Sequence, residues 1–200
     1  MVLKNQKGFT MVEILVVIAL ISLITLFALP NVTSILKITL NTATRELATA
    51  IKETAQSTIL TGRMHRIVYD LEENEFWVES APNDTLLDTE KSYDKEVRRR
   101  KMLGEPEKPA SPFQIDKSVT RKKISLPSGV TFKAIYSTQK ENPIETGVAY
   151  THFFPQGMIE PTLIHITDLQ DHQISIVISS LVGRVKVMNG FVGRREAFGL

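Results

Sequence analysis

The chain has 200 residues, a formal net charge of +2, 42% hydrophobic and 23% charged residues, and no cysteine. That length suits one ordinary domain plus an appendage. A charge so near zero does not mark a nucleic-acid binder or an electrostatically steered acidic substrate, and the missing cysteines exclude disulfides, thiolate metal sites and a cysteine nucleophile.

The apolar residues concentrate in 9–29, and the rest reads as a soluble polypeptide. As a helix, 9–29 would be roughly 31 Å long, about one bilayer core. Ser22 and Thr25 can bond back to their own helix carbonyls, so neither blocks a span. Pro30 marks the first break in the pattern and is the expected helix kink, with Asn31 able to cap a resumed helix. Lys4 and Lys7 ahead of an apolar run also fit a secretory signal peptide. However, Phe27-Ala28-Leu29-Pro30-Asn31 offers no A-x-A cleavage site, and the run is long. An anchor that stays is favoured, with the lysine-bearing end cytoplasmic and the bulk of the chain outside.

Glu13 is the one charged residue between Lys7 and Asn31. A carboxylate deep in a span costs about 2.5–3.5 kcal/mol on insertion scales, less near the interface. The side chains at helical spacing, Phe9, Thr10, Ile14, Val16 and Val17, offer it no opposite charge. Either Glu13 sits solvated at the headgroup level or its partner comes from elsewhere.

Lys7-Gly8-Phe9-Thr10-Met11-Val12-Glu13, followed by the apolar run and Pro30-Asn31, resembles the type IV prepilin motif. The resemblance implies that a prepilin peptidase cuts between Gly8 and Phe9 and that Phe9 becomes N-methylated. A small residue at Gly8 suits close approach of the peptidase to that backbone. It also implies a partner for Glu13, the positive amino terminus of a neighbouring subunit in a filament. Opposite charges tolerate a low-dielectric setting that a lone charge does not.

Along 31–62, Leu36, Leu40, Ala43, Leu47, Ile51 and Ala55 recur at spacings of three and four, with Lys37, Arg45, Glu46, Lys52 and Glu53 mostly off that stripe. The pattern predicts an amphipathic helix packed on its own domain and stopping at Thr61-Gly62. From Arg63 the period becomes two. Residues 66–71 and 75–79 read as a hairpin around Glu72-Glu73-Asn74, and 129–136, 147–154, 162–166, 173–179 and 181–188 as further strands. The expected fold is α+β: a long N-terminal helix packed on an antiparallel β domain of about seven strands, pilin-like by resemblance. The expected organisation is a leader over 1–8, a transmembrane helix over 9–30, an amphipathic helix over 31–62 and a periplasmic β domain over 63–200. Residues 82–123, dense in charge and proline, interrupt the strand rhythm and read as a partly disordered insertion. They include a short stretch with helical character over 93–102 and the basic cluster Arg98-Arg99-Arg100-Lys101, offset by Asp88, Glu90, Asp94 and Glu96.

Phe153-Phe154-Pro155-Gln156-Gly157 and Ser179-Ser180-Leu181-Val182-Gly183-Arg184-Val185-Lys186 are similar to stretches of the H-type minor pseudopilins of type II secretion, relatives of minor type IV pilins. The resemblance implies a structural subunit near the tip of a periplasmic filament that helps export folded proteins. Its partners would be prepilin peptidase, other major and minor pseudopilins and an inner-membrane assembly platform. The alternative is a minor type IV pilin serving pilus assembly or DNA uptake through Arg184, Lys186, Arg194 and Arg195. Four basic residues give a salt-sensitive, non-specific grip at best, and a charged edge strand accounts for them more simply. No G-x-S-x-G, H-E-x-x-H, Walker or G-x-G-x-x-G pattern occurs. His65, His152, His165 and His172 lie far apart or on different strands, and Asp168 and Asp171 are too few for calcium. Trp77 reads as core. No catalytic residue, metal or cofactor is expected.

Overall fold

The computed structural model describes residues 9–83, 102, 111–137, 142–180 and 184–199, with the side chains of 26–36 outside that set. The leader over 1–8, most of the 93–102 helix, the 98–101 cluster and the start of the last expected strand lie outside the described residues.

One helix, α1 (Met11–Thr61), carries the whole N-terminal part. It runs without a break through Pro30, so Asn31 does not restart a helix. A proline removes one backbone donor, which a long helix can lose without ending. The helix stops at Gly62, in the left-handed region at φ 64°, whose N–H donates to the Thr58 carbonyl. A Cβ there meets nothing within 4 Å, so only backbone strain opposes a side chain. Gly62→Ala is therefore expected to cost roughly 1 kcal/mol, read as a small fall in the thermal midpoint.

Among the described residues nine strands follow: β1 (Met64–Asp70), β2 (Glu75–Ala81), β3 (Gln114–Ile115), β4 (Ile124–Ser125), β5 (Val130–Tyr136), β6 (Val148–Phe153), β7 (Thr162–Asp168), β8 (Gln173–Ile178) and β9 (Val185–Asn189), then a short α2 (Arg194–Phe198). They form two antiparallel sheets. The first has the order β3-β2-β1-β6, with β4 also on β2, and the second the order β5-β7-β8-β9. The fold is thus the expected helix on an antiparallel β domain, split into two sheets. The two strands beyond seven are β3 and β4, both inside the stretch read as an insertion or just past its end. Part of that stretch and the residues just past it are built into the sheet: β3 pairs with Glu79 and Ser80, and β4 with Glu75 and Phe76.

Leu40, Ala43, Leu47, Ala50 and Ile51 of α1 bury against both sheets. They share one core with Ile67, Tyr69, Phe76 and Val78 of the first sheet and Ile164, Ile166, Ile174, Ile176 and Ile178 of the second. At the hairpin, Asp70 Oδ1 accepts from the N–H groups of Glu72 and Glu73. Asn74 (φ 54°) then joins the sheets, its side-chain oxygen accepting from Phe132 N–H at 3.0 Å. Trp77 is buried but lies outside that core. It faces the other side of the sheet, under the Lys123 ammonium 4.2 Å from its ring centroid, and donates to Glu79 at 2.9 Å. Strand alternation explains this: Phe76 and Val78 point to α1, so Trp77 between them cannot.

Candidate functional site

The chemistry-bearing end of the chain is the start of α1. Thr10 is the N-cap, in extended backbone (φ −83°, ψ 150°), and its hydroxyl accepts from Glu13 N–H at 3.3 Å. Glu13 thereby occupies the third helical position, an acid in the first turn where the helix dipole favours negative charge by about 0.3–1 kcal/mol. The sequence signal is the Thr10-x-x-Glu13 spacing of a capping box, which a purely charge-based reading of Glu13 does not use. Phe9 stands just before the cap and is 79% exposed. Gly8 lies outside the described residues.

Beyond Glu13 the helix presents apolar side chains to the outside on every face. Ile14, Leu15, Val16, Val17, Ile18, Leu20, Ile21, Leu23 and Ile24 are all exposed. Ser22 and Thr25 turn inward on the helix itself, their hydroxyls donating to the Ile18 and Ile21 carbonyls at 2.8 Å. Among the described residues no helix is long and apolar enough to cross a membrane, and described side chains on this run stop at Thr25. The half of α1 bearing Glu13 thus has no partner within the described chain, whereas the other half buries one face in its own domain.

The histidines are each absorbed locally. His65 faces Asp116 at 3.0 Å, His152 faces Glu160 at 2.7 Å and His172 faces Asp168 at 2.8 Å. His165 lies against the Ser175 hydroxyl at 3.0 Å and stacks on Phe191. Burial, with the Lys133 charge adding to it, pulls the His165 imidazole down to about 4. Burial pushes the Asp168 carboxyl up, but His172 and the backbone N–H groups of Gln170 and His172 outweigh it and hold the group below the usual carboxylate range. Asp168 and Asp171 close the β7–β8 turn, where Asp171 reaches Lys133. Among the described residues no three histidine, aspartate or glutamate side chains converge on one point.

The basic C-terminal residues lie on or beside two elements, β9 and α2. Arg184 precedes β9 and Lys186 lies on it, both exposed on the edge strand of the second sheet. Arg195 is exposed on α2, and Arg194 lines a cavity of about 360 Å³ with Tyr136, Ser179 and Ser180. The charges on and beside β9 suit protection of an edge from strand pairing.

Residues 3–29 match the model of the prokaryotic N-terminal methylation motif. Curated protein sequences give no match. Two solved structures of the minor pseudopilin EpsH from the type II secretion system of Vibrio cholerae are similar in fold, each at 10% identity. One covers 80% of this chain and 99% of the other with a TM-score of 0.50, and the second covers 75% and 96% with a TM-score of 0.47. The chain joins a prepilin-type N-terminal methylation motif to a domain with the pilin-like fold of a minor pseudopilin.

Proposed function

We propose that the chain is a structural subunit of a type II secretion pseudopilus, catalysing nothing itself. Prepilin peptidase would cut between Gly8 and Phe9 on the cytoplasmic side and methylate Phe9. Residues 9–30 would anchor the chain in the inner membrane, with the N-terminus cytoplasmic and the domain periplasmic, until the assembly platform moves it into a filament of major and minor pseudopilins. Its place would be near the tip.

The observation that carries this reading is the division of α1. One half buries a single face in its own domain. The other is apolar on all sides and carries one carboxylate at its capped end. A bilayer satisfies the apolar side chains but not the carboxylate. A bundle of like helices satisfies both, because each processed chain brings a positive amine beside a neighbour's carboxylate. Such a chain has reason to be stored in a membrane and drawn out of it.

Deletion of the gene tests the assignment. Export of folded proteins is expected to collapse while pilus display and DNA uptake persist. Loss of DNA uptake with intact secretion would instead select the minor-pilin reading.

A further inference from the structure

The 116–120 turn meets the end of α1 at a fully buried histidine. On the side of the first sheet away from β6, three short pieces of chain seal β2. β3 covers Glu79 and Ser80, and β4 covers Glu75 and Phe76. Between them neither strand reaches Val78. There Asp116 N–H donates to the Val78 carbonyl at 2.8 Å, and Val78 N–H donates to the Thr120 hydroxyl at 2.8 Å. Thr120 N–H in turn donates to the Asp116 carbonyl, closing the turn. The turn thus supplies the two hydrogen bonds the ladder lacks.

What holds the turn from the other side is His65, with no exposed surface. Its Nδ1 lies 3.1 Å from the Thr58 hydroxyl and 3.1 Å from the Arg63 carbonyl. The Thr58 hydroxyl gives its single proton to the Thr54 carbonyl at 2.7 Å. Toward His65 it is therefore an acceptor, as the Arg63 carbonyl is, so Nδ1 must carry a proton. Nε2 faces Asp116 Oδ2 at 3.0 Å, with the Ser57 hydroxyl further off at 3.5 Å. Burial works against the Asp116 carboxylate, but the Ser118 N–H and hydroxyl on Oδ1 and His65 on Oδ2 hold the group below the usual carboxylate range. An ionised Asp116 accepts only, so Nε2 must carry a proton too.

We propose that His65 and Asp116 form a buried imidazolium–carboxylate latch that holds the 116–120 turn against the end of α1, and that losing either charge releases the turn and opens the β2 edge. The surroundings leave the pair to each other. α1 contributes the hydroxyls of Ser57 and Thr58, the chain before β1 the Arg63 carbonyl, β2 Ser80 and β6 Phe153 opposite in register. Asp116 is the titratable side chain in recorded contact with the ring. The latch needs both charges: a proton taken up by Asp116 or lost from the ring unseals the edge.

The test uses the full chain in detergent micelles, with histidine labelled in its ring nitrogens. At neutral pH His65 should show two protonated ring nitrogens, and in Asp116→Asn only one. Site-resolved trypsin cutting after Lys117 and Arg121, both exposed on or beside the turn, should rise at least tenfold in Asp116→Asn and in His65→Gln. A neutral His65 in the unaltered chain at neutral pH overturns the proposal, as does unchanged cutting in both variants. If both variants fail to fold, a pH series on the unaltered chain decides. Cutting at these two sites should rise as the second ring N–H disappears, and cutting that ignores that signal also overturns the latch.

Discussion

Glu13→Ala is expected to leave cleavage after Gly8 intact and to cut entry into the filament roughly 100-fold or more. The proposed peptidase site precedes Phe9, whereas Glu13 lies in the first turn of the helix, so the cut bond is not disturbed. Membrane insertion should improve modestly, because a carboxylate that would cost about 2.5–3.5 kcal/mol at the centre of a span, and less near its end, is gone. Assembly should suffer because removing one partner of a desolvated ion pair leaves the other charge unpaired, at about 3–5 kcal/mol, and each 1.4 kcal/mol is about tenfold.

The capped geometry makes a sharper experiment possible. Glu13 serves the helix end as well as carrying charge: the Thr10 hydroxyl accepts from its N–H, and its acid group sits in the first turn. Glutamine suits that third position of a capping box almost as well as glutamate but carries no charge. If the ion pair to a neighbour's amine is what matters, Glu13→Gln should assemble as poorly as Glu13→Ala. If the glutamine variant assembled normally, the residue would be acting on its own helix end. Leader removal read by mass, together with cross-linking to neighbouring subunits, separates these outcomes.

Residues differ in how much of their role can be read from the chain alone. The stripe through Leu40, Ala43, Leu47 and Ile51 is legible because burial on one helix face repeats at the helical period, and all four are buried. The hairpin is legible because Asp70 and Asn74 bring turn chemistry between two alternating runs. The second sheet is not, since local alternation says that a strand exists and not which strand it joins. Here β6 crosses back to β1 after β5 has entered the other sheet. β3 and β4, two residues each, are too short to show any period. Pro30 does not end the helix, because the helix around it is long enough to continue through a missing donor. The His65–Asp116 contact spans 51 positions in sequence, beyond any local pattern. At the N-terminus the position of Glu13 relative to Gly8 is legible as a motif, while its place behind the Thr10 cap emerges from the backbone.

Leu47→Ala should be among the most destabilising single changes in the chain, and its comparison with Ile24→Ala tests the division of α1. Leu47 has no exposed surface and belongs to the core shared by both sheets. Truncation there removes buried methyl groups and leaves a cavity between the helix and two sheets that hydrogen bonds hold in place, so the site cannot collapse freely. The expected cost is about 2–5 kcal/mol, against a total of about 5–15 kcal/mol for a typical domain. Thermal unfolding of the full chain in detergent should show a clear fall in midpoint. Ile24 is on the same helix but 66% exposed and outside the core. Ile24→Ala should leave the domain's unfolding midpoint unchanged within error and instead weaken filament packing. An equal fall in both variants would mean that the apolar half of α1 already contributes to the fold of its own domain. α1 would then not be divided between two partners, and an apolar half left free for a membrane or for neighbouring helices would no longer explain its exposed residues.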